Sequence, residues 1–409
     1  MPGTNRNRQT VAVVGGGASG MMAALTAAQT GKYRVLLLER QQRIGRKLLA
    51  TGNGRCNLSN IHASASSYFG TDRGFASAAI EHFPPQAVLR FFQDLGLLTV
   101  TEADGRVYPL SDSANSVLDV LRFALDRAGT EILCPFPVDH VVRQDRGFRL
   151  LSGDAELSAD AVILACGGAA GSKLGGVSDG YRLGKALGHQ RSALYPSLTR
   201  ILTASDYPRA LKGIRVEAEL RLSGNGRLLA ESRGEIQFTE NGVSGPAGFD
   251  LSRAVSFGGE GQLLHLRLLP YEEERIRSLL KHRREQYPAL EASELFTGML
   301  HNRLGRTVVR AAGIPAAVPL SDLNDAELRS AARRCADFSL PVRGVEGFET
   351  AQVTAGGLLT GSFNPDTLES RLVPGLYACG ELLDVDGPCG GYNLQWAWAS
   401  GHLAGRLGT

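Results

Sequence analysis

The run VAVVGGGASG at residues 11–20 constrains this chain more than any other stretch. Four apolar residues read as a short buried strand. The glycines that follow make a full G-x-G-x-x-G, carried by Gly15, Gly17 and Gly20, and open into the helix-forming MMAALTAAQT. Each glycine has its own mechanical role. Gly15 permits the tight turn, Gly17 lets a pyrophosphate approach the backbone, and Gly20 lets the helix pack against the strand. The helix start at Ala18 and Ser19 offers unpaired N–H groups and the positive end of the peptide dipoles to phosphates. A second apolar strand, residues 33–38, ends at Glu39 and Arg40. That is the spacing at which an acid grips a ribose 2′-hydroxyl. A lone glycine motif is weak, but strand, turn, helix, strand and acid in register predict a dinucleotide site.

The chain has 409 residues, enough for two or three domains. Its 43% hydrophobic and 21% charged content is ordinary for a globular protein. A net charge of +3 over this length is near balance, so neither nucleic acid nor an acidic membrane is an expected partner. Six cysteines lie scattered without C-x-x-C, which suits a reducing compartment and predicts no metal site. Residues 11–28 are apolar enough to imitate a signal peptide, but the glycine turn in their middle argues against one. No run reaches transmembrane length without glycine or charge. The expected location is the cytoplasm.

A second glycine-rich loop follows. Gly45, Arg46 and Lys47 precede Thr51, Gly52, Asn53, Gly54, Arg55, Cys56 and Asn57. Glycines, amides and a guanidinium in one loop suit a polyanion, which needs N–H donors without crowding. TGNGRCNLSN at 51–60, GRVYPLS at 105–111 and ELLDVDGPCGGYNLQWAWASG at 381–401 together resemble a bacterial flavoprotein family, the YhiN/BaiN-like NAD(P)/FAD-dependent oxidoreductases. The likeness runs from the first strand to the C-terminus and is weakest between about 255 and 345.

The resemblance implies non-covalent FAD, a Rossmann-type FAD domain, and an inserted barrel-plus-helix region. It implies no particular substrate. It places Val138, Cys166, Gly167 and Gly168 on the cofactor, and Gly380, Glu381 and Asp384 beyond the last core strand, with Glu381 at the ribitol. One departure stands out. Where the family reads F-T-H-x-G-x-S-G-P, this chain carries Glu240 in the histidine's place. If that histidine donates a proton in relatives, Glu240, Tyr195 or Tyr392 must serve here. A carboxyl serves only if burial raises its pKa; otherwise Glu240 is a turn residue. Cys56 and Cys389 lie in the flavin motifs, as redox candidates or as small packing residues.

Along the chain, residues 86–95 and 113–127 read as amphipathic helices, the second capped by Ser113. Arg106, Tyr108 and Pro109 read as a compact turn. Short strands are expected at 131–133, 138–143, 148–151 and 161–165, and a loop into a helix at 175–188 with Asp179 near its start. From 189 the pattern alternates apolar and polar residues at 216–222, 228–231, 234–238 and 263–268 around glycine turns, the mark of a small antiparallel barrel or sheet. Residues 270–336 turn helical, with a capping box at Asn324 and Glu327. The cluster Lys281, His282, Arg283 and Arg284 reads as a solvated face.

The Rossmann pattern resumes with a strand at 376–379. Gly390, Gly391, Tyr392 and Asn393 then open a helix from about 394 to 407. This second glycine-rich start would aim its positive end at the flavin pyrimidine edge. Gly390 and Gly391 would allow the approach, and Asn393 and Gln395 would add amide donors. An NAD enzyme has no need of it, so FAD is the main ligand.

The chain is thus expected to be α/β: a Rossmann-type FAD-binding domain (1–188 and 348–409) with an inserted β-barrel-like subdomain (189–268 and 335–347) and a helical subdomain (269–334). A flavin-dependent oxidoreductase fits, passing hydride to an unsaturated or carbonyl-conjugated small molecule with NAD(P)H as donor. With no second G-x-G-x-x-G, the nicotinamide would bind beside the flavin on other groups. The alternatives are an FAD-dependent amine oxidase, an FAD-dependent RNA-binding or RNA-modifying protein, and a flavin-binding redox sensor.

Overall fold

Short apolar strands separated by helices favour a parallel sheet buried on both faces, since each crossover lays a helix over it. In the computed structural model, which describes residues 8–408, Gln9–Val14 is the central strand of a five-stranded parallel sheet. Ala161–Leu164 and Leu376–Ala378 lie on one side of it, Tyr33–Leu38 and Glu131–Leu133 on the other. The first helix, Ala18–Gln29, meets the last, Tyr392–Gly405, at very short range. A Cβ on Gly405 would sit 2.5 Å from the Ala23 carbonyl. Trp396 and Trp398 are buried in the last helix and donate to the Gly380 and Leu58 carbonyls at 3.0 and 2.9 Å. Arg106–Pro109, expected as a turn, is instead the middle strand of a small antiparallel sheet between Ser59–Asn60 and Thr99–Thr101. Ser113 precedes the helix Ala114–Arg127 as expected, but its side chain makes no capping hydrogen bond.

The chain divides into two compact units, Met1–Tyr195 with Phe348–Thr409, and Pro196–Gly347. The outermost ends of the expected FAD domain, residues 1–7 and Thr409, lie outside the described residues. Residues from 189 belong to the first unit because His189 is held there. Its ring nitrogens lie 2.9 and 3.1 Å from the Ser362 and Ser370 hydroxyls, and it stacks on Phe363 at 4.4 Å.

The second unit is a closed six-stranded antiparallel barrel with helices packed on it. Asn225 and Gly226, at φ 52° and 73°, make the two-residue turn between Arg215–Gly224 and Arg227–Phe238, a left-handed pair that suits hairpin twist. The expected strands 228–231 and 234–238 are one continuous strand. Leu220, Leu264 and Leu266 from the barrel share one core with Ile276, Leu280, Leu304 and Val308 from the helices, so barrel and helices bury their apolar faces together. The helix Asp325–Ala336 has the full capping box: Asn324 Oδ1 accepts from the Glu327 N–H at 3.0 Å, and Glu327 Oε2 accepts from the Asn324 N–H at 2.8 Å.

Candidate cofactor site

The three motif glycines are required by different neighbours. A Cβ on Gly15, at φ 113°, would lie 2.4 Å from the Ala165 carbonyl, and one on Gly20 would lie 1.8 Å from the Gly15 carbonyl. Strand and helix therefore demand both. Gly17 has an ordinary φ of −78°, and a Cβ there would meet nothing within 4 Å. The protein does not need this glycine; an open cradle at a helix start does, if phosphate enters it. The first intrahelical bond runs from Met21 N–H to the Gly17 carbonyl at 2.9 Å, leaving the N–H groups of Ala18, Ser19 and Gly20 outside the helical ladder.

Glu39 is pinned where the second strand ends. Its Oε2 accepts from the Gly16 N–H at 2.8 Å and its Oε1 from the Gln41 N–H at 2.7 Å. Two backbone donors fix the carboxylate and leave lone pairs for a ribose diol. Arg40 turns away to Asp179 at 3.1 Å. In the second loop, Gly45 N–H donates to the Gly16 carbonyl at 2.8 Å, holding the loop against the first turn. Lys47 Nζ meets Glu381 Oε2 at 2.7 Å, and Glu381 Oε1 accepts from the Thr354 N–H at 3.0 Å. Arg46 donates to Gln41 at 2.9 Å and Thr51 to the Leu48 carbonyl at 2.6 Å. Gly52 and Asn53 are left-handed, at φ 56° each, and a Cβ on Gly54 or Gly167 would meet nothing within 4 Å. These open, N–H-bearing turns suit a dinucleotide as Gly17 does.

Other expected ligands are occupied by the protein. Arg55 pairs with Asp112 and, at 3.1 Å, with Glu102, and lies over the Tyr108 ring at 4.0 Å. Its charge is spent on two carboxylates, so the expectation that it faces a polyanion is corrected. Cys56 is fully buried, and burial pushes its thiol up to about 12; the half-buried Cys166 is pushed up as far and donates to the Val14 carbonyl at 3.4 Å. A thiol with so little thiolate at neutral pH is no nucleophile, so the packing reading of Cys56 stands. Val138 is likewise buried in the core. Gly168 is demanded by Glu381 and Thr354, each with an oxygen 2.5 Å from its would-be Cβ, and Gly380 by the Ser19 hydroxyl at 2.4 Å.

The last helix start differs most from expectation. The helix begins at Tyr392, with Gly391 as its cap at φ 99°. A Cβ on Gly391 would lie 2.3 Å from the Ser59 carbonyl, so this glycine admits a neighbouring strand. Asn57 sits between the two; with its amide oriented to satisfy both neighbours it donates to the Ser59 carbonyl and accepts from the Gly391 N–H, at 3.1 and 3.2 Å. Gly390 contributes its carbonyl to Asn60 Nδ2 at 2.9 Å. Gln395 is fully buried, accepting from Ser59 Oγ at 2.7 Å and donating to the Phe83 carbonyl at 2.8 Å. Asn393 staples its own loop, accepting from the Gly387 N–H at 2.9 Å. Asp384 is buried on the Thr71 hydroxyl at 2.5 Å. The expected amide donors Asn393 and Gln395 are therefore corrected: both amides are consumed within the protein.

Glu240 lies in the second unit, half exposed, with Lys212 at 3.1 Å and Arg209 at 3.9 Å. The Lys212 hydrogen bond first, then both positive charges, hold its carboxyl below the usual range. A proton donor needs the opposite shift. Tyr181 escaped the sequence reading altogether. Its hydroxyl is buried and makes no hydrogen bond among the described residues. Burial first, then the negative charge of Glu381, raises its pKa. A tyrosine after Gly180 carries no signal of this in sequence; only tertiary burial leaves its hydroxyl without a partner.

Residues 9–407 match the family described as HI0933-like protein Rossmann domain. The chain is 40% identical over 401 residues to the 3-dehydro-bile acid delta(4,6)-reductase of Clostridium scindens, covering 97% of this chain and 98% of that one. It is 29% identical over 392 residues to the ribosomal RNA dihydrouridine synthase of Escherichia coli, covering 95% of each. In three dimensions it resembles the 3-ketosteroid delta1-dehydrogenase of Sterolibacterium denitrificans, with a TM-score of 0.51 at 14% identity over 97% of this chain and 99% of the other. That likeness concerns the fold. No helix among the described residues is long and apolar enough to cross a membrane.

Proposed function

The chain belongs to the HI0933-like Rossmann family and is an FAD-dependent oxidoreductase, and on that premise we propose that it reduces a carbon–carbon double bond conjugated to a carbonyl. The observation that carries this reading is the 40% identity, over nearly the whole of both chains, to a reductase named for such a bond. The dihydrouridine synthases at 29% and 26% identity are named for a related change, saturation of a ring double bond beside a carbonyl. Bound FAD supplies the hydride. The residues here would hold it: the Gly17 turn at the pyrophosphate, Glu39 at the ribose, and Glu381, fixed by Lys47 and the Thr354 N–H, at the ribitol. NAD(P)H is the proposed donor. Six scattered cysteines and that donor suit the cytoplasm.

A small molecule is favoured over RNA by the fate of the basic side chains. Arg283 is spent on the Thr297 carbonyl, Arg284 on Leu323 and Asp325, Arg306 on Glu294 and Arg333 on Glu273. An RNA-binding face keeps its cations for phosphates. The names of the two dihydrouridine synthases support RNA as the second reading. One experiment separates them. The FAD-loaded protein is reduced anaerobically with NADH or NADPH, then mixed with a 3-oxo-4,6-diene steroid or with unmodified ribosomal RNA. Reoxidation of the flavin by the steroid, with loss of the dienone absorbance, is expected. Reoxidation by RNA alone, with dihydrouridine formed, replaces the small molecule with RNA. Reoxidation by oxygen alone, with stoichiometric peroxide, makes the protein an oxidase.

A further inference from the structure

The second unit carries reactive side chains that flavin chemistry does not use. In its barrel, Leu222, Leu264 and Leu340 are fully buried, so their strand neighbours Ser223, His265 and Ser339 face outward. Ser223 pairs with Leu263 on the adjacent strand, and His265 pairs with Ser339 on the next. Ser223 and His265 therefore lie diagonally on adjacent strands, and Asp337 directly precedes the next strand, Phe338–Val345. Ser223 Oγ lies 2.9 Å from His265 Nε2, and His265 Nδ1 lies 2.9 Å from Asp337 Oδ1. A carboxylate only accepts, so Nδ1 carries a proton; in the neutral imidazole Nε2 then offers its lone pair to the serine hydroxyl. Nucleophile, base and orienting acid stand in the order that hydroxyl activation requires.

Two features of the surroundings point the same way. Leu228 and Leu263, the cross-strand partners of Ser223, are 59% and 38% exposed, which puts apolar side chains on both sides of the hydroxyl. The ladder also slips between Leu222 and Ser223, leaving Leu229 as an extra residue opposite them. Such a bulge frees backbone groups from the ladder and re-aims side chains, and bulges cluster beside reactive sites.

We propose that Ser223, His265 and Asp337 form a second, flavin-independent site that hydrolyses esters of short apolar acyl groups. Ser223 Oγ bonds to the ester carbonyl carbon as its proton passes to His265 Nε2. The bond to the alkoxy oxygen then breaks, and the leaving alcohol takes that proton from the imidazole. Water adds to the acyl carbon, its proton moving through His265, and the acid leaves as the Ser223 hydroxyl is restored. Asp337 balances the imidazolium in each half, and Leu228 and Leu263 line the acyl chain. No electrons are exchanged.

The test uses the full-length, FAD-loaded protein with p-nitrophenyl butyrate and a fluorophosphonate probe. Hydrolysis above the buffer rate and phosphonylation mapped to Ser223 are expected. Ser223→Ala and His265→Gln should each lower turnover by about 100-fold or more, the usual scale for losing a nucleophile's proton transfer. Asp337→Asn should lower it less, and Leu263→Ser should raise KM more than it lowers kcat. FAD content and melting temperature report that each variant is folded. Wild-type hydrolysis no faster than buffer, unchanged hydrolysis in a folded Ser223→Ala variant, or label on another residue overturns the proposal.

Discussion

The two glycine-rich helix starts of the Rossmann unit look alike in sequence and differ in what surrounds them. At the first, Gly17 caps the helix with an ordinary φ and an empty space where a side chain would be. At the last, Gly391 caps the helix at φ 99° with the Ser59 carbonyl 2.3 Å from its would-be Cβ, and the amides that follow are bonded inward. The first glycine leaves room for a ligand, the second for a strand. A motif of the same composition thus leaves open space in one place and admits a packed strand in the other, and the neighbour decides which.

That contrast breaks most readily at the last start. Gly391→Val must relieve a clash with Ser59 and a left-handed backbone together, which adds to about 3–5 kcal/mol of lost stability. Urea melts should show it, with flavin lost only because the unit unfolds. A folded, yellow variant would mean that the glycine does not serve packing. Gly17→Leu should do the reverse. The apo protein should keep its unfolding free energy from urea melts to within about 0.5 kcal/mol, as an exposed substitution does, yet purify colourless. Retention of FAD at wild-type stoichiometry would remove the phosphate from the Gly17 cradle.

A third measurement sharpens the contrast through pH. His402, on the last helix, stacks on Phe83 at 4.2 Å, and burial first, then Arg406 and His82, lower its pKa to about 4. The folded state binds this proton less readily than the unfolded chain, whose histidine titrates near 6.5. The stability it lends is therefore full above about pH 6.5 and is lost as pH falls through 4, by roughly 2–3 kcal/mol. His402→Phe should flatten that slope in melts between pH 4 and 7. The smallest effect compares two other caps. Asn324→Ala should cost about 1 kcal/mol, whereas Ser113→Ala, whose hydroxyl caps nothing, should cost about 0.3 kcal/mol or less. Equal losses in thermal melts would show that the capping bonds do not set helix stability here.

Residues 33–38 were readable as a strand because six residues of β-forming character stand between polar turns, and they form the strand Tyr33–Leu38. The barrel's inward and outward faces were readable for the same reason, as was the capping box at Asn324. Arg106–Pro109 was not, because Pro109 and Gly105 mimic a turn, and the partner strands that make it a sheet lie elsewhere in sequence. The same blindness affected the site. Arg55 was legible as a cation in a glycine loop, but Glu102 and Asp112, which neutralise it, come from 47 and 57 residues away.

The amino-acid sequence by itself determined the glycine-rich strand–turn–helix, the acid at the end of the second strand, and the change from Rossmann to barrel pattern. These depend on backbone freedom and periodicity within a few residues, which local sequence encodes directly. Only the tertiary structure decided which glycine faces open space and which a strand, which charges stay available, and which hydroxyls are left unpaired or aligned with a base. Those properties depend on neighbours dozens to hundreds of residues away, as in the Lys47–Glu381 pair and the Ser59–Gln395 hydrogen bond. Burial makes such pairings strong by removing water's competition, and it is settled only when the whole core has closed.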